Sequence, residues 1–276
     1  METNSGRETI PAIEFRDVVK HFPGTGSNAV DHVSLEIPAG ELITILGTSG
    51  CGKTTLLKLV NRLYDPDEGQ VLINGENIAG IDPVKLRRTI GYVIQDVGLF
   101  PHMKVKANIA TVPKILGWDK ARIKKRVDEL LTAVNLDPDE FRNRYPAQLS
   151  GGQRQRVGLA RAMAVDPGIM LLDEPFGAID SINRGMLQEE LLRIHGEHRR
   201  TYLFVTHDID EAFRLGSRVL IMDGGRVQQF DTPEAILANP ANDFVRTLLS
   251  PALEKRFQPK EQGKAAHMPQ KAVYAV

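Results

Sequence analysis

The sequence feature that most constrains this fold is a glycine-rich turn between a strand pattern and a helix pattern. An apolar run ends at Leu46, residues 47–54 read G-T-S-G-C-G-K-T, and residues 55–60 continue as T-L-L-K-L-V. Strand, turn and helix in this order are the context that the phosphate-binding pattern G-x-x-x-x-G-K-[ST] requires. Glycines allow backbone N–H groups to converge on phosphate oxygens, and the following helix dipole favours the same anion. A glycine-rich turn that carries a lysine by coincidence is the alternative, and the fit of eight consecutive residues disfavours it.

The turn also predicts individual roles. Lys53 is placed to reach the β- and γ-phosphates of a nucleotide, and the Thr54 hydroxyl is placed to ligate Mg²⁺. Cys51 is expected to act as a spacer whose alkylation blocks the nucleotide, not as a nucleophile. The predicted phosphate-binding residues are Gly47, Thr48, Ser49, Gly50, Cys51, Gly52, Lys53, Thr54 and Thr55.

Composition excludes several classes of protein. The chain has 276 residues, with 35 basic and 35 acidic side chains, so no overall charge recruits nucleic acid or a membrane surface. Its first residues lack the apolar core of a signal peptide, and no apolar run is long enough to span a bilayer. Cys51 is the only cysteine, which fits a cytosolic protein. We therefore expect any membrane function to operate through another chain.

The order of the patterns predicts the architecture. Residues 1–12 are expected to be disordered, and residues 13–18 and 30–37 read as a β-hairpin. Strand patterns then alternate with helix patterns, which predicts an α/β fold with a mostly parallel sheet covered on both faces. The hairpin belongs to an N-terminal antiparallel β-subdomain, and residues 96–167 read as an inserted α-helical subdomain. The tail, residues 251–276, is predicted to be disordered.

Two acidic residues close a buried strand pattern, I-M-L-L-D-E. Asp173, at the carboxyl end of such a strand, can hold Mg²⁺ directly or through water. Glu174 can then polarise the attacking water as a general base. The pair could instead cap the helix beyond Pro175, but the phosphate-binding turn favours the catalytic interpretation.

A second anion-binding pattern, L-S-G-G-Q, begins a helix at residues 149–153. Ser150 supplies a hydroxyl, and Gly151, Gly152 and Gln153 continue the pattern at the helix start, where backbone N–H groups are exposed. A chain that binds one nucleotide at its phosphate loop does not need a second phosphate site for that nucleotide. This pattern therefore predicts contact with the nucleotide of another copy. With this motif the chain resembles the ATP-binding cassette (ABC) ATPases, whose signature reads L-S-G-G-Q. The resemblance runs from about residue 13 to residue 249 and implies one ATPase domain over residues 13–250.

The resemblance implies further roles, with ATP and Mg²⁺ as cofactors. Phe22 falls at the position of an aromatic that stacks on adenine, although it could also be a hydrophobic plug at the hairpin end. Gln95 matches the glutamine that senses Mg²⁺ and the γ-phosphate. Asp180 matches the loop that crosses to a second subunit, and His207 matches the switch histidine that contacts the γ-phosphate. Ile179 stands where the family commonly has leucine.

Within the family, the segments G-Y-V-I-Q-D-V-G-L-F-P-H-M, L-G-W-D and N-R-Y-P resemble importers of glycine betaine, carnitine and choline. The chain therefore resembles the ATP-binding subunit of a bacterial osmoprotectant importer. Long members of that class append a pair of regulatory domains, and the 26 residues after Ser250 are too few for one of them. We expect a short form to which that regulation cannot be transferred.

The resemblance also implies partners. These are a second copy in a head-to-tail homodimer, transmembrane permease subunits and, indirectly, a solute-binding protein, with no nucleic acid. The expected location is the cytoplasmic side of the cell membrane, as a peripheral subunit. The alternatives are the ATPase of another importer class and a non-transport ABC switch ATPase. No coiled coil, second cassette or fused membrane segment supports a repair, translation or exporter class.

Overall fold

The computed structural model describes residues 10–24, 26–94, 98–177, 179 and 181–257, with side chains described except at 181–183, 198 and 251–257. The strands are β1 (Ile13–Lys20), β2 (Val30–Ile37), β3 (Leu42–Gly47), β4 (Glu68–Ile73), β5 (Glu76–Asn77), β6 (Ile90–Val93), β7 (Ile169–Asp173), β8 (Thr201–Val205), β9 (Arg218–Asp223) and β10 (Arg226–Asp231). The helices are α1 (Lys53–Val60), α2 (Pro83–Arg88), α3 (Val105–Ile109), α4 (Thr111–Ile115), α5 (Lys120–Ala133), α6 (Pro138–Phe141), α7 (Gly151–Ala162), α8 (Ser181–His198), α9 (Ile209–Leu215), α10 (Pro233–Ala238) and α11 (Asp243–Phe257).

The strands form two sheets. One has four antiparallel strands in the order β2-β1-β4-β5, and it confirms the predicted hairpin of β1 and β2. The other has six strands in the order β10-β9-β3-β8-β7-β6, and every pair in it is parallel except β9 with β10. The prediction of an α/β fold with a mostly parallel core sheet and an antiparallel subdomain is therefore confirmed.

The central strands are buried along their whole length. β3, β7 and β8 have no half-exposed residue, because both faces of the parallel sheet are covered. On one face α1 and the antiparallel sheet pack together, with Leu56 and Phe15 among their buried side chains. On the other face, Leu172 and Phe204 pack with the helices of residues 105–194. A smaller cluster around Ile236 and Val245 joins the C-terminal helices to β9.

Helices α3 to α7 lie between β6 and β7 in the chain and occupy the stretch for which the sequence predicts an inserted helical subdomain. Asp119 accepts a hydrogen bond from the backbone N–H of Arg122 at 2.8 Å, so it caps α5 as its position predicts. The buried side of α5 carries Val127, Leu130 and Leu131. At the other end of the chain, α11 continues to Phe257, beyond the Ser250 boundary that the sequence pattern suggests.

The sheet order brings three loops to one edge. β8 lies between β3 and β7, with Ile45 opposite Val205 and Val205 opposite Asp173 in the parallel registers. The loops after these three strands therefore leave the sheet side by side. Ligands of open α/β sheets bind at this carboxyl edge, and each of these loops carries a predicted site residue.

Candidate functional site

The turn between β3 and α1 needs glycine at two positions because other backbone lies against it. A Cβ atom on Gly47 would collide with the carbonyl oxygen of Met222 in β9. A Cβ atom on Gly52 would collide with the carbonyl oxygen of Ala29, and Gly52 also has a φ of 103°, in the left-handed region. The turn is thus shaped by close backbone contacts from two neighbouring segments, as a cradle for an anion requires.

Lys53 begins α1 and folds back over the turn. Its Nζ atom donates hydrogen bonds of 2.8 Å to the carbonyl oxygens of Gly47 and Thr48, and the residue is only 6% exposed. Among the described residues, no carboxylate forms a hydrogen bond with this ammonium. Lys53 therefore presents a fixed positive charge at the phosphate turn.

Thr54 and Asp173 bring α1 and β7 together. The Thr54 hydroxyl donates a 2.8 Å hydrogen bond to Oδ1 of Asp173. Burial raises the pKa of Asp173, and the bond from Thr54 partly opposes that rise. The described residues hold no cluster of three or more His, Cys, Asp and Glu side chains that could cage a metal. One hydroxyl and one carboxylate nevertheless fit Mg²⁺, which takes few protein oxygens and completes its shell with phosphates and water.

Glu174 and His207 form a facing pair next to Asp173. Glu174 has a φ of 46°, and its backbone N–H donates to Val205 at 3.1 Å, so the chain turns sharply after β7. Nδ1 of His207 lies 3.5 Å from Oε2 of Glu174. A left-handed conformation at a residue with a side chain is uncommon and costs free energy, and such strain is typical of functional sites.

These residues line a cleft of about 590 Å³. The lining residues that the structure describes are Ser49, Gly50, Gly52, Lys53, Thr54, Thr55, Glu174 and His207. The predicted residues Gly47, Thr48 and Cys51 are not among the lining residues. The carbonyls of Gly47 and Thr48 hold Lys53, and Cys51 is buried. The structure thus brings the phosphate turn, the predicted base and the predicted switch histidine into one concave site.

The L-S-G-G-Q signature lies apart from this cleft. Ser150 is the N-cap of α7: its Oγ accepts from the Gln153 N–H at 3.3 Å, and its own N–H donates to Oε1 of Gln153 at 2.9 Å. Gly151 and Gly152 form the first turn of α7. None of these four residues is among those that line the cleft. Because Ser150 is exposed, another molecule can approach this helix start.

Three residues from the family resemblance have roles that stay predictions. Phe22 packs edge-on against Tyr64, with ring centroids 5.0 Å apart, and is not among the residues that line the cleft. Its role at adenine stays a prediction. Gln95 and Asp180 lie outside the described residues, so their predicted roles also stay predictions.

The sequence interpretation misses one support of the phosphate turn. Asp223, at the end of β9, accepts a 3.2 Å hydrogen bond from the Thr48 hydroxyl. Two residues later the Gly225 N–H donates to the Cys51 carbonyl at 3.2 Å. The only local signal is the D-G-G sequence of a tight turn, which predicts the β9–β10 hairpin but not its contact with the phosphate turn.

Comparison with known proteins identifies the class. Residues 30–177 match the ABC transporter family. A post-hydrolysis dimer of the ATP-binding cassette MJ0796 bound to ADP and Pi is similar in structure, with a TM-score of 0.73, 34% identity, and coverage of 80% of this chain and 98% of that one. This chain belongs to the ABC transporter family and carries its ATP-binding domain.

The relatives include several importer subunits. The osmoprotectant import ATP-binding protein OsmV of Salmonella typhimurium is 50% identical over 84% of this chain and 62% of its own length. The glycine betaine uptake system ATP-binding protein YehX of Escherichia coli is 50% identical over 85% of this chain and 75% of its own length. A sulfate/thiosulfate import ATP-binding protein, CysA of Nocardia farcinica, is 50% identical over 80% of this chain and 66% of its own. The chain spans 59% to 62% of the length of OsmV and the OpuCA relatives.

Membrane-spanning character is absent from the part of the chain that the structure describes. None of its helices combines the length and the apolar composition that crossing a bilayer demands.

Proposed function

We propose that this chain binds ATP with Mg²⁺ in the cleft between the phosphate turn and Glu174, and hydrolyses it to power a bacterial importer. The observation that carries the proposal is the convergence of Lys53, the Thr54–Asp173 pair and the Glu174–His207 pair on one cleft. These groups can neutralise the charge of the phosphates, bind a metal ion and supply a base near the γ-phosphate. Phosphoryl transfer needs all three functions.

Each residue has a defined task in this proposal. The backbone N–H groups of residues 49–54 and the Lys53 ammonium hold the β- and γ-phosphates. Thr54 and Asp173, with Gln95, would hold Mg²⁺, which would neutralise charge on the phosphate oxygens. Glu174 accepts a proton from the attacking water, and His207, which faces Glu174, contacts the γ-phosphate. Phe22 stacks on the adenine ring.

The second anion-binding helix start argues for a dimer. Ser150, Gly151, Gly152 and Gln153 complete the site of a second copy, and Asp180 belongs to the loop that crosses between the copies. The related cassette MJ0796 is described as a dimer. Two-fold symmetry then produces two equal composite sites without an unpaired surface.

The relatives also indicate which class of solute the importer carries. The names of the OsmV, OpuCA and YehX relatives favour an osmoprotectant quaternary amine such as glycine betaine, carnitine or choline. A sulfate/thiosulfate importer subunit is equally identical, and because a cassette does not touch the solute, this relative supports a second solute class. An importer for another solute class, such as an oxyanion, is therefore the second candidate function, ahead of a non-transport switch ATPase. In either importer the chain docks on permease subunits at the cytoplasmic side of the membrane and acts with a solute-binding protein.

Uptake by cells tests the proposal directly. The gene is deleted in the native host, and uptake of labelled glycine betaine, carnitine, choline and sulfate is measured at high osmolarity. We expect loss of quaternary-amine uptake, its return with the wild-type gene, and no return with Glu174→Gln. Loss of sulfate uptake alone would establish the second candidate. If the purified wild-type chain shows no Mg²⁺-dependent ATP hydrolysis, either alone or with its permease, the ATPase proposal itself is wrong.

A further inference from the structure

A buried carboxylate lies close to the switch histidine but outside the cleft. Glu211, on the first turn of α9, is 7% exposed, and burial is the main cause that raises its pKa. Its hydrogen-bond partners are neutral groups: Nε2 of Gln188 at 2.9 Å and the Thr206 hydroxyl. Burying a carboxylate costs free energy that an apolar side chain would avoid, so its presence needs a specific reason.

On one side Glu211 is connected to α8. Gln188 of that helix is 6% exposed, and its Oε1 accepts a 2.9 Å hydrogen bond from Nη1 of Arg214. Both ends of the Gln188 amide are therefore engaged by α9, one by Glu211 and the other by Arg214. The second guanidinium nitrogen of Arg214 reaches Glu189 at 3.1 Å on the exposed side. The amide of Gln188 has no freedom to rotate without breaking one of these bonds.

On the other side Glu211 is connected to the loop that carries His207. The Thr206 Oγ1 atom accepts a 3.0 Å hydrogen bond from the Asp208 N–H, while the Thr206 hydroxyl bonds to the Glu211 carboxylate. The Glu211 N–H in turn donates to Oδ1 of Asp208 at 3.0 Å. The Glu211 N–H bond is made by the backbone and does not depend on the side chain, whereas the Glu211 carboxylate reaches this loop through Thr206. Because the Thr206 oxygen also accepts from the Asp208 N–H, the residues immediately before and after His207 are both connected to that carboxylate.

His207 itself has little packing to hold it. Its side chain is 69% exposed and faces Glu174 at 3.5 Å. The orientation of such a side chain depends on the backbone that carries it, because few contacts of its own limit its rotamers. The bonds that hold Thr206 and Asp208 therefore determine how His207 is directed at the cleft.

We propose that Glu211, held by Gln188, is a positioning residue that fixes the backbone around His207 and keeps the imidazole directed at Glu174 and the γ-phosphate. Glu211 acts through Thr206 and Asp208 and does not touch the nucleotide. The role rests on the proposed ATPase function for its effect on rate, while the orientation of His207 can be measured without any nucleotide.

Steady-state kinetics give the first test, with variants Glu211→Ala and Glu211→Gln. Glu211→Ala should lower kcat by about tenfold or more, with KM for ATP changed less than about threefold, because ground-state phosphate contacts remain. Glu211→Gln keeps an acceptor for Thr206 or Gln188 and should recover most of kcat. Glu189→Ala is the matched control: it removes an exposed carboxylate that contacts the same Arg214, and should leave kcat unchanged.

A double-mutant cycle separates positioning from general loss of structure. If Glu211 acts through His207, Glu211→Ala should lower the rate no further in a His207→Ala background. Independent, additive losses in the two variants would overturn the proposal. So would a Glu211→Ala chain whose kcat equals that of the wild type.

A measurement without hydrolysis keeps the proposal testable if the ATPase assignment fails. The Cε1–H signal of His207 in a ¹H–¹³C NMR spectrum of nucleotide-free protein should shift or broaden in Glu211→Ala and not in Glu189→Ala. An unchanged His207 signal in a folded Glu211→Ala chain would reject the positioning role. If the wild type does not hydrolyse ATP but the His207 signal shifts in Glu211→Ala as expected, only the proposed function is rejected and the positioning role stands.

Discussion

Thr54 and Asp173 lie 119 positions apart in the sequence, yet the Thr54 hydroxyl donates a 2.8 Å hydrogen bond to the Asp173 carboxylate. The bond joins the first turn of α1 to the end of β7, and so fixes the phosphate turn relative to Glu174. The bond is made to Oδ1 of Asp173, a buried carboxyl group whose pKa is raised by burial. Two oxygens held at this distance are preorganised for one small cation.

Thr54→Val should therefore weaken nucleotide binding only when Mg²⁺ is present. Valine keeps the shape of the side chain but removes the hydroxyl, and leaves Asp173 without its donor. We expect affinity for Mg²⁺-ATP to fall about tenfold or more, the range for losing support of a metal site, with little change in EDTA. Titration with a fluorescent ATP analogue measures both conditions. Equal losses with and without Mg²⁺ would show that Thr54 serves the fold and not the metal.

Glu174→Gln should separate binding from turnover. The substitution keeps the size of the side chain but removes the carboxylate that accepts the proton of water. We expect nucleotide affinity to persist, hydrolysis to fall by about two orders of magnitude or more, and ATP-dependent dimers to accumulate. Phosphate release and size-exclusion chromatography measure these effects. Hydrolysis at the wild-type rate would show that Glu174 is not the base.

Much of the site could be predicted because it consists of local motifs on a regular scaffold. The turn at 47–54 and the acidic pair at 173–174 are contiguous in sequence, and the parallel sheet predicts that they meet at one edge. The φ of 46° at Glu174 could not be predicted, because it follows from the bond of its N–H to Val205 in a neighbouring strand. Only the family resemblance points to His207, since one histidine after a strand is a weak signal by itself.

The parts that the sequence does not predict depend on distant contacts or weak patterns. The Thr48–Asp223 bond spans 175 positions and the Gln188–Glu211 bond spans 23 between two helices, so neither has a local spacing to reveal it. β10, R-V-Q-Q-F-D, lacks the clean alternation of a half-buried strand because nearly all of it is partly exposed. α9 has only seven residues, too few for a periodic pattern to identify it.

Cys51 should react slowly with alkylating reagents. Burial is the main cause that raises the pKa of its thiol, and the nearby Lys53 ammonium only partly opposes that rise. Because the thiolate is the reactive form, a raised pKa leaves less of it at neutral pH, and the rate should increase as pH rises past the ordinary thiol value of about 8.5. Labelling with iodoacetamide, followed by mass spectrometry, measures this rate, and Mg²⁺-ATP should slow it further. Rapid labelling at pH 7 would contradict the buried, protonated state.

Lys53→Ala should act on binding itself. The Lys53 ammonium is the fixed cation of the phosphate turn, held by two carbonyls at 2.8 Å. Its loss removes a charge-assisted contact to phosphate, so both ATP affinity and hydrolysis should fall, affinity by about tenfold or more. Equilibrium titration tests this, with Lys58→Ala as a control on the same helix. Undiminished affinity in Lys53→Ala would place the nucleotide elsewhere.

The capped helix start at Ser150 leads to a prediction about two copies. A chain with Lys53→Ala lacks its own phosphate contact but still offers an intact signature. A chain with Ser150→Arg keeps an intact phosphate turn but presents bulk and charge to the nucleotide of its neighbour. Each variant alone should hydrolyse ATP poorly, because every composite site of its homodimer carries one lesion.

Mixing the two variants tests whether the sites are shared. In the mixed dimer one composite site joins the intact turn to the intact signature, and the other carries both lesions. With equal mixing about half of the dimers are mixed, so hydrolysis should partly return if one intact site can turn over. If the two sites are strictly coupled, hydrolysis stays low but ATP-driven dimerisation of the mixture exceeds that of either variant. Full activity of Ser150→Arg alone would be decisive against the shared site, because the signature would then lie outside the nucleotide's surroundings.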